Sequence, residues 1–380
     1  MKSKILSAKD YDLEIAKCNG NKKKLRDLKY TLEKSLESSS LISRFLSKKD
    51  NHEVFYLISA IYKEIGLYES SIKRLKLLHK ENKSSNFILI SLLSALKKYS
   101  SNDSDYHQLI NLFNSRLTNN NFYYNGSSPQ KIIEIIKKNG FVILKDFFNK
   151  EIINELKNNL ESNIINSEKI LKNIGKDPNN CIYPLYMITN YETKDISKKI
   201  QTAYEDNWHL TKYFNNHDIS YINNMLVEPF KNSFLNEVIG LYTKNTNWKL
   251  HNDYSMSRKI SHYGFEKDGY AALHQDSRLQ LFYKHYLTFW IPFCKTGNGS
   301  APTMDVIPTY CRNFYPYEYF QTDENIQKRQ LSVSDFPKEC ILSPEVNVGD
   351  VWIHDSFTLH GTSVTENNYG SRHSIDLRFF

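Results

Sequence analysis

The first proline of this chain is residue 129. A run of 128 residues without the one side chain that breaks a helix from inside can stay helical for most of its length. Apolar residues there recur at spacings of three and four, the period of helices buried along one face. Past Pro129 the pattern changes to short apolar runs separated by turn residues. The 380 residues leave room for two domains and a sizeable core. A hydrophobic fraction of 40% with 13% aromatics is a globular composition, and it excludes a disordered chain.

Charge is divided unevenly. Residues 1–130 carry 22 Lys and Arg against 13 Asp and Glu, while the remainder carries 28 against 29. The positive excess therefore belongs to the helical third. It reads either as a solvated surface or as a docking face for an acidic protein partner. Lys22-Lys23-Lys24 is too short and isolated for a nucleic-acid patch, so no nucleic-acid partner is expected. The five cysteines (Cys18, Cys181, Cys294, Cys311 and Cys340) show no C-x-x-C spacing, which excludes a disulfide framework or a thiolate zinc site and fits a reducing cytoplasm. No run of 18 apolar residues is present, and the first residues lack a signal-peptide core, so no membrane association is expected.

A polar, turn-rich stretch marks the domain boundary: Ser101-Asn102-Asp103-Ser104, Asn119-Asn120-Asn121 and Asn125-Gly126-Ser127-Ser128-Pro129. It separates a helical domain, residues 1–125, from a second domain, residues 130–380. The second opens with a helix over 132–138, a strand over 140–144 and a helix over 150–160. Residues 163–240 follow with mixed short elements. Trp208-His209 and His217-Asp218 there read as structural or substrate-rim residues, because adjacent residues face opposite sides of a strand. From 249 onward strands are expected over 249–256, 259–264, 270–274, 286–293, 303–308, 349–354 and 373–379. Strands at that spacing suggest a double-sheet jelly roll whose mouth is a ligand cavity. The fold class is thus α+β: a double-stranded β-helix of the jelly-roll or cupin-like kind with flanking helices, behind a small all-α domain.

Chemistry concentrates at two places in the second domain. His274-Gln275-Asp276 holds an imidazole and a carboxylate two residues apart, so on a strand both point to one side and can grip one metal while Gln275 faces away. His360 offers a second imidazole from a distant segment, which must return on another strand of the same barrel. Two imidazoles and one carboxylate are the facial ligand set of mononuclear non-haem iron, with positions left open for substrate and oxygen. Beyond His360 comes Arg372, whose fork suits a carboxylate through two parallel hydrogen bonds, and Ser374 shares its face. Arg378 has the same parity but lies farther along the strand.

Two resemblances extend this reading. Val54–Lys83 resembles a tetratricopeptide repeat: Ile58, Ser59, Tyr62, Gly66, Tyr68, Ser71, Leu75 and Leu78 stand at its packing positions, although Ser occupies both small positions and Lys83 replaces the usual Pro. A plain helical bundle is the other reading, and either form would serve partner binding or self-association. The segment Asn139-Gly140-Phe141-Val142-Ile143-Leu144-Lys145-Asp146-Phe147-Phe148, flanked by helices, resembles the opening of the phytanoyl-CoA dioxygenase family. So do Trp290-Ile291-Pro292, Val306-Ile307-Pro308 and Gly349-Asp350 before His360-Gly361-Thr362. Thr309-Tyr310-Cys311 departs from the Gly-Ser-His the family often carries. The resemblance covers about residues 130–380. It implies a hydroxylase using Fe(II), 2-oxoglutarate and O2, with His274, Asp276 and His360 as metal ligands and Arg372 on the co-substrate. Ser374, Thr362, Trp290 and Gln275 are co-substrate-pocket candidates, with ordinary packing or hydrogen bonding as the alternative. His354 reads as a barrel-interior residue beside the metal ligands. The substrate class implied is a small or carrier-bound metabolite. Two other readings stay open: a catalytically silent protein acting through its helical domain, and a cupin-like metalloenzyme that does not use 2-oxoglutarate.

Overall fold

The computed structural model describes residues 21–42, 56–63, 65–99, 104–118, 122–158, 185–187, 227–250, 256–261, 272–276, 286–310, 318–320, 328–363 and 365–379. The chain divides into two compact units. One comprises Met1–Asn120, Ala272–Leu281 and Thr309–Ile341, and the other Asn121–Ala271, Phe282–Pro308 and Leu342–Phe380.

The first unit begins with α1 (Lys22–Ile42), α2 (56–63), α3 (Tyr68–Glu81), α4 (Asn86–Tyr99) and α5 (Tyr106–Thr118). Asn21 Oδ1 accepts from the amides of Lys23 and Lys24, which caps the first turn of α1. Leu25 and Leu32 of α1 pack on Leu57, Ile58 and Ile61 of α2 and on Ile65. Between α2 and α3 the chain reverses at Gly66, whose φ of 87° is open to glycine at no steric cost. Leu67 N closes the turn on Tyr62 O at 2.8 Å. Ser59 and Ser71 answer each other across this hairpin. Ser59 Oγ donates to Ser71 O, and Ser71 Oγ to Ser59 O, at 3.0 and 2.9 Å, so both buried hydroxyls are satisfied at close helix approach. In α4 every residue from Phe87 to Leu96 is buried, as befits a helix surrounded on all sides. Lys97 donates to Phe336 O, and Lys98 pairs with Asp335 at 3.4 Å, tying the α4 C-terminus to the 3-10 turns over Val333–Asp335 and Lys338–Cys340. The unit also holds an antiparallel sheet in the order β5 (Ala272–Leu273), β9 (Lys328–Ser332) and β8 (Glu318–Phe320).

The second unit is built on a seven-stranded sheet. Its strands are β1 (Tyr123–Tyr124), β2 (Phe141–Leu144), β10 (Val351–Asp355), β6 (Leu287–Pro292), β12 (Ser371–Phe379), β4 (Met256–Ser261) and β3 (Leu185–Met187), in that spatial order. Pairing is antiparallel except for β1 with β2. A second sheet pairs β7 (Thr303–Ile307) with β11 (Leu359–Ser363). Period-two alternation gives β2, β6 and β10 apolar side chains on both faces. Val351, Ile353, Phe289, Ile291, Ile375 and Leu377 pack outward on α6 (Pro129–Asn139), α7 (150–158), α8 (Glu228–Lys231) and α9 (Phe234–Thr243). Their neighbours Trp352, Trp290, Phe141 and Ile143 face the other way, onto Met304 and Val306 of β7. Local signals set the helix ends. Ser128 Oγ accepts from Lys131 N with Pro129 in the first turn, and Gly140, at φ 85°, returns its amide to Ile136 O.

Two expectations need correcting. Strands were expected over 249–256 and 259–264, with a break between. Instead β4 runs unbroken over Met256–Ser261, because its register with β12 carries Ser257 and Arg258 opposite Ile375 and Ser374. Strands β8 and β9 were not anticipated, since EYF and KRQLS lack an apolar run. Finally, Trp208-His209 and His217-Asp218 lie outside the described residues.

Candidate metal centre

His274 follows directly on β5, and its Nε2 lies 3.6 Å from Asp276 Oδ1. The Asp276 side chain is buried, and Gln275 between them is fully buried as well. His360 sits second in β11, opposite Val306 of β7. Its Nδ1 stands 3.0 Å from Thr358 O. A carbonyl can only accept, so Nδ1 carries the proton and Nε2 keeps the lone pair a metal requires. Thr358 is itself fixed, with Oγ1 donating to Gly140 O at 2.7 Å and its amide to Asp355 O at 2.8 Å. The sequence reading did not single out Thr358; its place two residues before a candidate ligand was the available signal.

Each of His274, Asp276 and His360 offers one ligand atom, and these atoms lie within 4.8 Å of one another. Among the described residues they form the one group of three or more His, Cys, Asp or Glu side chains that meet so closely. Two imidazoles and a carboxylate suit a borderline divalent metal such as iron. His354 is buried, and its ring centroid is 4.2 Å from that of His360. It contributes to the packing that fixes the His360 ring.

A second cluster lies on the inner face of β12. Strand alternation puts Arg372, Ser374, Asp376 and Arg378 on that one face, and all four are buried. Arg372 Nη1 donates to Thr303 O at 2.8 Å and Pro302 O at 3.4 Å, and its Cζ lies 5.3 Å from the Trp290 ring centroid. The guanidinium is thus braced by backbone on one side and an indole on the other. Ser374 Oγ and Trp290 Nε1 are buried without a hydrogen-bond partner among the described residues. A buried donor left unmade costs about 1–3 kcal/mol, so two of them beside an arginine make a wall suited to accepting a carboxylate. Thr362 is half-buried in β11 and pairs with Met304. Arg378 lies opposite Thr288, in the same row as His354. Cys311 and Tyr317 lie outside the described residues, while Thr309 is buried and Tyr310 half-buried.

No family model matches the chain, and no curated protein matches it. Solved structures do match, at low identity. EvdO2 from Micromonospora carbonacea var. aurantiaca, complexed with 2-oxoglutarate, is 13% identical with a TM-score of 0.43, covering 67% of this chain and 92% of its own. HygX from Streptomyces hygroscopicus, with nickel and 2-oxoglutarate bound, is 13% identical with a TM-score of 0.39, over 66% of this chain and 86% of its own. The epimerase SnoN, in complex with Fe3+, alpha ketoglutarate and nogalamycin RO, is 9% identical with a TM-score of 0.36, over 66% and 83%. Among the described residues no helix is long and apolar enough to cross a membrane.

Proposed function

We propose that this protein is an Fe(II)/2-oxoglutarate-dependent oxygenase that hydroxylates an unactivated carbon of a small or carrier-bound metabolite. Its core, on this reading, is a double-stranded β-helix, with a tetratricopeptide-like hairpin in α2 and α3. The observation that carries the proposal is the Arg372 wall. A braced cation stands beside two buried donors, Ser374 Oγ and Trp290 Nε1, that have no acceptor among the described residues. That arrangement calls for a carboxylate, and a dicarboxylic co-substrate brings one. The ligand group supplies the other half: His274, Asp276 and His360 would hold the iron.

Iron and 2-oxoglutarate, when bound, couple decarboxylation to succinate and CO2 with oxidation of a carbon centre by O2. The chain's own residues position and exclude. Thr358 O holds the proton on His360 Nδ1 and aims Nε2 at the metal position. Asp276 would supply the one carboxylate ligand. Arg372 receives the distal carboxylate of the co-substrate, with Ser374 and Trp290 donating to it. Trp352, Phe141, Met304 and Val306 keep that wall apolar and dry, which strengthens each charge-assisted bond. Thr362 and Gln275 complete the lining.

The test is a substrate screen on anaerobically iron-loaded protein, reading succinate release against oxygen uptake. Succinate formed in step with oxygen supports the proposal. Activity on a substrate that persists without oxygen or 2-oxoglutarate overturns it in favour of another cupin-like metalloenzyme. No 2-oxoglutarate-induced visible absorption from the iron-loaded protein would point to a catalytically silent chain.

A further inference from the structure

The helical unit presents one face of α3 with an unusual mixture of charge and apolar surface. Lys73, Lys76 and Lys80 stand at i, i+3 and i+7, which is one stripe of a helix. Leu77 lies within that stripe and is 56% exposed. Just before it come Leu67 and Tyr68, 47% and 38% exposed. Three of the seven exposed large apolar residues among the described residues therefore fall on this helix or its lead-in. Tyr68 is held flat against Tyr99 of α4, with ring centroids 3.5 Å apart and planes at 13°. The stacked pair forms an end wall to a groove of about 510 Å³ that Glu69, Ile72, Lys73, Lys76, Leu77 and Lys80 also line.

The charges decide what fits. Lys76 already pairs with Asp105 at 3.0 Å, through side chains 35% and 53% exposed. Lys73 and Lys80 are exposed and make no ion pair among the described residues. Glu69 and Glu81 close the two ends of the stripe, so the basic zone runs only from residue 73 to 80. That is about 10 Å of helix at ~1.5 Å per residue, two turns long. A broad anionic surface would meet Glu69 and Glu81 as well as the lysines. A narrow acidic element lying along residues 73–80 would meet the three lysines, with Glu69 only at the end of the groove beside Tyr68.

We propose that this α3 face docks an acidic amphipathic helix of a partner protein. Carboxylates at i, i+3 or i+4, and i+7 on the partner meet Lys73, Lys76 and Lys80. An apolar anchor from the partner covers Leu77 and abuts the Tyr68–Tyr99 wall. Shape and the apolar anchor supply affinity, while the lysines supply orientation and on-rate. This inference stands apart from the oxygenase reading and holds whether or not the iron site turns over.

The test uses the full chain and a fluorescein-labelled helical peptide with a central Leu and Glu at i, i+3 and i+7, read by anisotropy. A scrambled peptide of equal charge and vesicles rich in phosphatidylserine are the comparison probes. The ordered peptide is expected to bind at least tenfold more tightly than the scrambled one. The double substitution Lys73→Glu/Lys80→Glu is expected to weaken it at least tenfold, and Leu77→Asp by a similar factor. Lys131→Glu, on an exposed site of the other unit, should change nothing. Circular dichroism of each variant reports whether the helices persist, and high salt added to wild type repeats the charge test without mutation. The proposal is overturned if ordered and scrambled peptides bind alike, if charge reversal in a folded variant leaves binding unchanged, or if vesicles bind and the peptide does not.

Discussion

At His360 a single backbone carbonyl does the work of a positioning side chain. Thr358 O fixes the imidazole proton on Nδ1, and Thr358 is anchored in turn to Gly140 O. Asp276 provides the one formal negative charge among the three candidate ligands. Asp276→Ala should therefore abolish iron-dependent turnover, checked by metal content and succinate release together; full iron occupancy in that variant would contradict its role. Arg372 is the residue proposed to hold the co-substrate. Arg372→Ala removes a charge-assisted pair of about 1.5–3 kcal/mol, which should raise the KM for 2-oxoglutarate roughly ten- to hundredfold while kcat falls less. If KM stays put, Arg378, on the same face of β12, becomes the next candidate. Asp305 shows the opposite electrostatic situation. Burial holds its carboxyl above its ordinary value, only partly offset by hydrogen bonds from Ser343 and Ser363. A raised value means the folded state favours the protonated form. The stability that form contributes is present below pH 3.8 and is lost as pH rises through the folded value. Asp305→Asn should then raise Tm near pH 7, and the gain should vanish in acid.

Among the elements, the turn into β10 is the least forgiving. Gly349 has a φ of 94°, and a Cβ there would meet Phe148 O at 2.7 Å. The next residue, Asp350, is fully buried and accepts from Lys145, from Asp146 N and from Asn347 N, which ties β10 to the end of β2. Gly349→Ala should destabilise by about 1–3 kcal/mol, read as a lower midpoint in urea. The sequence made this part of the chain legible. Phe141–Leu144, Leu287–Pro292 and Val351–Asp355 are short, rich in branched and aromatic side chains, and bounded by turn residues. Helix α6 was readable from Ser128-Pro129 at one end and Gly140 at the other. What escaped reading depends on long-range pairing. β8 and β9 owe their strand form to each other and to β5, and their own residues are mostly polar. The continuity of β4 comes from β12, far away in sequence. The i, i+2 spacing of His274 and Asp276 was visible in one dimension, whereas the orphaned donors of Ser374 and Trp290 belong to packing and leave no trace in the sequence.

At the scale of the whole molecule, positive charge gathers in the first 130 residues and the oxidative chemistry is proposed for the rest. Ligands that bind only the folded chain add stability by mass action, about 2.7 kcal/mol at a hundredfold excess over Kd. Mn(II), an oxygen-stable replacement for iron, together with 2-oxoglutarate should raise Tm by several degrees, and a chelator should reverse the shift. Addition of 2-oxoglutarate to Arg372→Ala at the wild-type working concentration should add little beyond the metal. The bracing of that arginine against Thr303 and Pro302 carries one more implication. A cation clamped to main chain cannot reach forward or draw back. Under the proposed function it would act as a fixed stop: a diacid of one length would reach it, and shorter or longer oxo-acids would miss it.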